Sequence, residues 1–184
     1  MRIIRIICVS ACLLGAVRGA EPEALVLRGR VGIHLADGTG GPVRLAAEDV
    51  ARDLGWVLGE AGTFVEARGE AQIRVRVDPA VGSAEAYRIT VTPAAVTIVG
   101  ADALGAIYGL YAFSRDRLGV DPYWFWKDLR PPRREAVHVP QGTTVSAPAT
   151  VRYRGWFVND EDLLTAWHDP AANDDRVLRL IPAE

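Results

Sequence analysis

Between Val43 and Val57 the apolar residues Val43, Ala46, Ala47, Val50, Leu54 and Val57 recur at helical spacing, and the runs beyond that stretch change to alternation. A chain that switches between a 3.6-residue and a 2-residue period has to pack helices on a sheet, because each kind of element buries one face. ALVLRG (Ala24 to Gly29) and VGIHLA (Val31 to Ala36) read as short strands. The turn DGTGG then leads through Pro42, a residue suited to a first helical turn, into a helix over Val43 to Leu58. TFVEA follows, and in AQIRVRVD the apolar Ile73, Val75 and Val77 alternate with Arg74 and Arg76, as in a half-buried strand. YRITV and VTIVG, separated by TPAA, read as a hairpin. Gly100 to Leu118 reads as a second helix, with Leu104, Ile107, Tyr108, Tyr111 and Phe113 as its expected buried members. Hairpins with two helices predict an α+β fold, a small sheet carrying both helices on one face.

The first 20 residues look like an address rather than structure. Arg2 and Arg5 precede the apolar run Ile6 to Val17, and the small Gly19 and Ala20 come before EPEA, the layout of a secretory signal peptide. That run is too short for a membrane helix, which takes about 20 apolar residues. The expected location is secreted or periplasmic, with no stable membrane insertion. Both cysteines, Cys8 and Cys12, lie in the leader, so no disulfide or cysteine metal site is expected after its removal. Removal also takes away three arginines, leaving 164 residues with 18 basic against 23 acidic side chains and a formal charge of −5. Nucleic-acid binding rests on Lys and Arg neutralising phosphates, so this balance argues against it. Residues 21–118 read as one α+β unit. Residues 119–150, with Pro131, Pro132, Pro140, Pro148 and the polar GTTVSA, read as an aromatic- and Pro-rich linker before a new element at Val151.

That last element, YRGWFVNDED, ends an apolar strand in Asn159, Asp160, Glu161 and Asp162. Burying one uncompensated charge costs about 3 to 5 kcal/mol, so such a cluster belongs at a ligand or in water. One reading is a strand end opening on an active site; the other is a solvated turn whose Asp caps a helix starting near Leu163. Other candidates are weaker. Tyr123, Trp124, Phe125 and Trp126 could stack on sugars, but consecutive aromatics on a strand more often seal an interface. Lys127, Arg130, Arg133 and Arg134 could attract a uronate carboxylate, though beside prolines a solvated loop is the plainer account. His34, His138 and His168 lack ligand spacing, so neither metal nor cofactor is expected. GADALG lacks the Lys-Ser/Thr of a phosphate loop, and neither Ser114 nor Ser146 has a G-x-S-x-G context.

EAYRITVTPAAVTIVGADALGAIYGLYAFSRDRLGV resembles the small α+β domain that precedes the catalytic barrel in several glycoside hydrolases, including β-hexosaminidases and microbial α-glucuronidases. GVDPYWFWKDLRPPRR and VRYRGWFVNDEDLLTAW are similar to the xylan α-glucuronidases of glycoside hydrolase family 115, and the likeness covers about Ala84 to Trp167. It implies an enzyme that removes glucuronic acid, or its 4-O-methyl ether, from xylan side chains with inversion. Glucuronoxylan or its oligosaccharides would be the partner, and the full-length family leaves room for a homodimer. Inversion needs a carboxylic acid and a carboxylate about 6.5 to 9.5 Å apart. In the family these come from later barrel strands, so the catalytic residues are unknown here. Asn159, Asp160 and Glu161 carry over as substrate-binding residues at the end of the first barrel strand, where such barrels place their sites. A (β/α)₈ barrel takes about 250 residues, and only 34 follow Thr150. Residues 151–184 are thus the expected start of a truncated barrel, and the chain alone is expected to be inactive. A hexosaminidase-like relative is the runner-up within the enzyme class. A noncatalytic secreted module that binds polysaccharide is the alternative outside it.

Overall fold

The computed structural model of the chain describes residues 24–155. A six-stranded sheet forms the base, in the order β3 (Thr63–Phe64), β2 (Gly32–Leu35), β4 (Ile73–Val77), β6 (Val96–Gly100), β5 (Tyr87–Val91), β8 (Gly142–Val145). β2 runs parallel to β3 and β4, and β4 parallel to β6. β5 is antiparallel to both β6 and β8. The sheet is thus mixed, with the expected hairpin at one side and parallel pairs at the other. β1 (Ala24–Leu27) leaves it to pair antiparallel with β7 (Val137–Pro140).

Two helices, α1 (Gly41–Leu58) and α2 (Ala103–Phe113), pack on each other and on one face of the sheet, as predicted. Ile33, Ile73, Val75, Ile89, Val96 and Ile98 meet them in one core, which also takes in Leu25 and Leu27 of β1 and Val137 and Val139 of β7. α1 starts with Pro42 in its first turn and stops at Gly59, whose left-handed backbone (φ 89°) sends its N–H to the Gly55 carbonyl at 2.9 Å. Asp102 caps α2, its Oδ1 accepting from the Gly105 N–H at 2.8 Å. The helix then continues as a π-helical turn, Ser114–Leu118.

The buried face of α2 differs from the expected one. Leu104 is 47% exposed, and Ile107, Tyr108 and Tyr111 are half-buried; only Phe113 of the anticipated set is fully enclosed. Gly105, Ala106, Gly109, Leu110 and Ala112 face inward instead. Close approach is the cause. A Cβ on Gly105 would lie 2.2 Å from the Ala86 carbonyl oxygen, and one on Gly109 would lie 2.7 Å from Ile98 Cγ2. Where the helix comes this near the sheet, at Gly105 and Gly109, no side chain fits between, and Leu110 and Phe113 fill the wider space beside them.

The stretch expected as a linker is partly built into the domain. Within residues 119–150, β7 closes the small sheet and β8 extends the large one. Sparse apolar content hid them: β8 is exposed along its length, and β7 shows only Val137 and Val139 inward. Among the described residues no helix is long and apolar enough to cross a membrane. Residues 1–20, read as a leader, lie outside the described residues, as does nearly all of the element beginning at Val151.

Candidate functional site

On the side of α2 away from Gly105 and Gly109, Tyr108, Tyr111 and Arg115 recur along one half-buried stripe at helical spacing. Residues 146–154 run past that stripe. Ser146 pins them to the start of β5, its Oγ accepting from the Tyr87 N–H at 2.9 Å while its own N–H reaches the Tyr87 carbonyl at 3.0 Å. Between the two lies a groove of about 360 Å³. At its far end Arg154 donates to Glu85, and to the Tyr108 hydroxyl at 3.2 Å. Glu85 adopts φ 67°, a conformation that side chains other than glycine rarely take. Its N–H donates to Asp102 Oδ2 at 2.9 Å, so one carboxylate both caps α2 and holds the Glu85 turn. The groove therefore offers phenols, two guanidiniums and one carboxylate. Such a mixture can hydrogen-bond a polyol, and it also anchors the chain immediately before Trp156.

A second cluster joins the helices beneath the groove. Asp49 and Asp53 are buried on α1, and Arg52 bridges them at 2.7 and 2.8 Å. From α2 and the turn after it, the Tyr111 hydroxyl donates to Asp49 at 2.8 Å and Ser114 Oγ to Asp53 at 2.6 Å. Burial pushes the Asp53 carboxyl above its ordinary value of 3.8, against the opposing pull of Arg52 and the Ser114 hydroxyl. With a donor on every carboxylate named, the cluster reads as an interlock between helices. Its sequence signal was an acid standing at a core position, Asp53 between Val50 and Val57 of the apolar stripe.

The aromatic run forms a turn rather than a strand. Asp121 Oδ1 accepts from the Tyr123 N–H at 2.7 Å, and the Leu129 N–H reaches the Trp124 carbonyl at 2.8 Å. Trp124 meets Trp56 of α1 edge-on at 4.6 Å, with Arg130 4.4 Å above the Trp56 ring. Lys127 pairs with Asp121 at 2.8 Å, the Arg133 guanidinium lies over Gly59, and the Arg134 N–H donates to the Val57 carbonyl at 2.7 Å. This corner seals α1, as the interface reading anticipated, with its basic side chains on the outside. His34 stands on β2 and His138 on β7, far apart in the topology. Asn159, Asp160 and Glu161, like His168, lie outside the described residues. Glu85, Arg115 and Arg154 escaped sequence reading because no spacing joins them: 69 residues separate Glu85 from Arg154.

Residues 16–115 match the family model of glycosyl hydrolase family 20, domain 2. That is more than half of the 184-residue chain, which belongs to this family of glycoside hydrolase accessory domains. Solved structures agree in fold. A family GH115 4-O-methyl-α-glucuronidase, BtGH115A, described as specific for decorated arabinogalactans, superposes with a TM-score of 0.59 at 22% identity, over 67% of this chain and 18% of that one. A Streptomyces plicatus β-hexosaminidase gives 0.53 at 20% identity over 70% of this chain and 24% of its own. The GH20 β-N-acetylhexosaminidase of Streptomyces coelicolor A3(2) gives 0.52 at 20% identity over 71% and 24%. The chain spans about a fifth to a quarter of the length of these enzymes. No curated protein matches it.

Proposed function

We propose that the chain is the accessory unit and the beginning of the catalytic unit of an exported α-glucuronidase. In this reading the whole enzyme removes glucuronic acid or its 4-O-methyl ether from glucuronoxylan or its oligosaccharides with inversion. The catalytic acid and base lie on later barrel strands, and Asn159, Asp160 and Glu161 hold sugar hydroxyls. The observation that carries this is the tie at Arg154, which fastens the chain to Glu85 and Tyr108 two residues before the aromatic, acidic segment opens at Trp156. An accessory domain held there would set the position of the first strand end. The likeness of residues 84–167 to family 115 supports the α-glucuronidase specificity, while the fold, shared with BtGH115A and with the hexosaminidases alike, supports the glycoside-hydrolase class.

The domain-2 match favours a second reading, a hexosaminidase-like enzyme. Substrate release separates the two. The complete gene product is expected to liberate glucuronic acid from aldouronic oligosaccharides with inverted anomeric configuration by NMR, and the 184-residue chain alone to liberate none. Release of N-acetylhexosamine instead would transfer the assignment to the second reading, and release of neither would sink both. Exchange of Asp160→Ala is expected to weaken oligosaccharide binding in calorimetry; unchanged binding would remove Asp160 from the site.

A further inference from the structure

Neither long helix covers the other face of the large sheet; among the described residues only the short turn Pro79–Val81 packs there, where Val81, Ala86 and Ala101 bury Val99. Along that face His34, Arg74, Thr97, Thr90 and Thr143 are successive partners across β2, β4, β6, β5 and β8. At 4.7–4.9 Å per strand this row is roughly 19 Å long. In the next row Arg76 and Arg88 flank Val99. Arg76 and Arg88 stand two strands apart and Arg74 two residues from Arg76 on β4, so positive charge gathers where an ordinary solvated face intersperses both signs. The chain as a whole has slightly more acidic than basic side chains, 23 against 21, so this face is a local separation of charge that folding does not favour. Among the described residues Asp78, 2.6 Å from Arg76, is the only carboxylate ion-paired with any of Arg68, Arg74, Arg76 and Arg88.

The arginines are also shaped. Arg74 Nε donates to the Ala71 carbonyl at 3.1 Å, which orients the guanidinium plane and leaves its terminal amino groups for another acceptor. Arg68, Arg74 and Arg76, with His34 and Thr97, border a niche of about 90 Å³ at one end of the row. That is about the space of three waters at ~30 Å³ each, enough for one carboxylate and too small for a sugar ring.

We propose that this open face binds an acidic glycan, with one uronate carboxylate in the niche on Arg74 and Arg76 and sugar hydroxyls laid along the threonine row. Arginine forks match carboxylates in charge and in geometry. The choice of a glycan over other polyanions rests on the glycoside-hydrolase reading; the placement of the site does not. The test is native affinity electrophoresis of the purified chain in gels containing polygalacturonate, dextran or no polymer. Polygalacturonate is expected to retard the chain, dextran to leave it unmoved, and retardation to fade between about 20 and about 200 mM salt. The double exchange Arg74→Gln and Arg76→Gln is expected to weaken retardation by about tenfold or more, with melting little changed because neither side chain enters the core. Equal retardation of the double variant would overturn the site. Equal retardation by dextran would overturn the charge recognition, and equally strong capture of a thymidine oligonucleotide would overturn the choice of glycan. Because no hydrolysis is read, the outcome is independent of which sugar the complete enzyme releases.

Discussion

On β4, Ile73 and Val75 point into the helix-covered core and are buried, whereas Arg74 and Arg76 between and beyond them stand on the open face. On β6 Val96 and Ile98 are enclosed and Thr97 is not, but Val99 beyond it is buried on the second face with Val81, Ala86 and Ala101. Alternation along a strand makes the two faces separable in principle, since successive side chains point opposite ways. The main core thus lies on one face, and the other, apart from the small cluster at Val99, is open to carry recognition. Their carboxylates differ in the same sense. Burial raises Asp53 among the helices, while the Arg76 hydrogen bond, the Ala80 N–H and the field of Arg76 and Arg88 hold Asp78 on the open side below its ordinary value.

The sharpest way to break the comparison is to truncate neighbours on one strand. Ile98→Ala empties a fully enclosed site and is expected to cost about 2–5 kcal/mol, whereas Thr97→Ala next to it should cost within about 0.5. Urea unfolding of the two variants decides it; similar losses would mean that the open face is part of the core. A smaller loss is expected for Arg52→Gln, which leaves Asp49 and Asp53 without their shared cation. Breaking a hydrogen bond to a buried charge costs about 1–3 kcal/mol. Tyr111 and Ser114 still donate to the two acids, which limits the damage. A fully stable Arg52→Gln chain would show that the shared cation is not needed to keep the two acids in place.

The pH dependence of the interlock should be smaller again. A raised folded pKa means that the folded chain keeps the Asp53 proton to higher pH than the unfolded chain. Its contribution is therefore fully present below 3.8 and is lost as pH rises through the folded value. Compared with Asp53→Asn, the natural chain should lose melting temperature steadily over that interval. A difference that stays flat or grows with pH would contradict the raised value.

Much of the covered face was legible, and the reason is periodicity. The stripe Val43 to Val57 and the alternation Ile73, Val75, Val77 each report one buried side, and the structure places both against the same core. α2 was legible as a helix but not in orientation, because apolar residues occur all round it and the side that goes in is the one where Gly105 lies against the Ala86 carbonyl with no room for a Cβ. Parallel pairing of β2 with β4 and of β4 with β6 left no local mark, since the partners are joined only through tertiary packing. The groove was illegible for the same reason. Glu85, Tyr108 and Arg154 come from a turn, a helix and a coil, and they become neighbours only when residues 146–154 are drawn along α2.

The finest test of the two-face picture lies at Asp78, the carboxylate that tempers the arginine face. Its side chain accepts from Arg76 and from the Ala80 N–H, so it caps the short turn after β4 as well as neutralising one guanidinium. An exposed ion pair contributes little, and Asp78→Asn keeps an oxygen for the Ala80 N–H, so the unfolding midpoint should hardly move. Charge recognition should move the other way. Removing the one paired carboxylate releases Arg76 and adds a unit of positive charge beside Arg88, so retardation by polygalacturonate should increase while dextran remains without effect. A variant that melts like the natural chain yet binds polygalacturonate no better would show that the charge on this face is not what an acidic glycan reads.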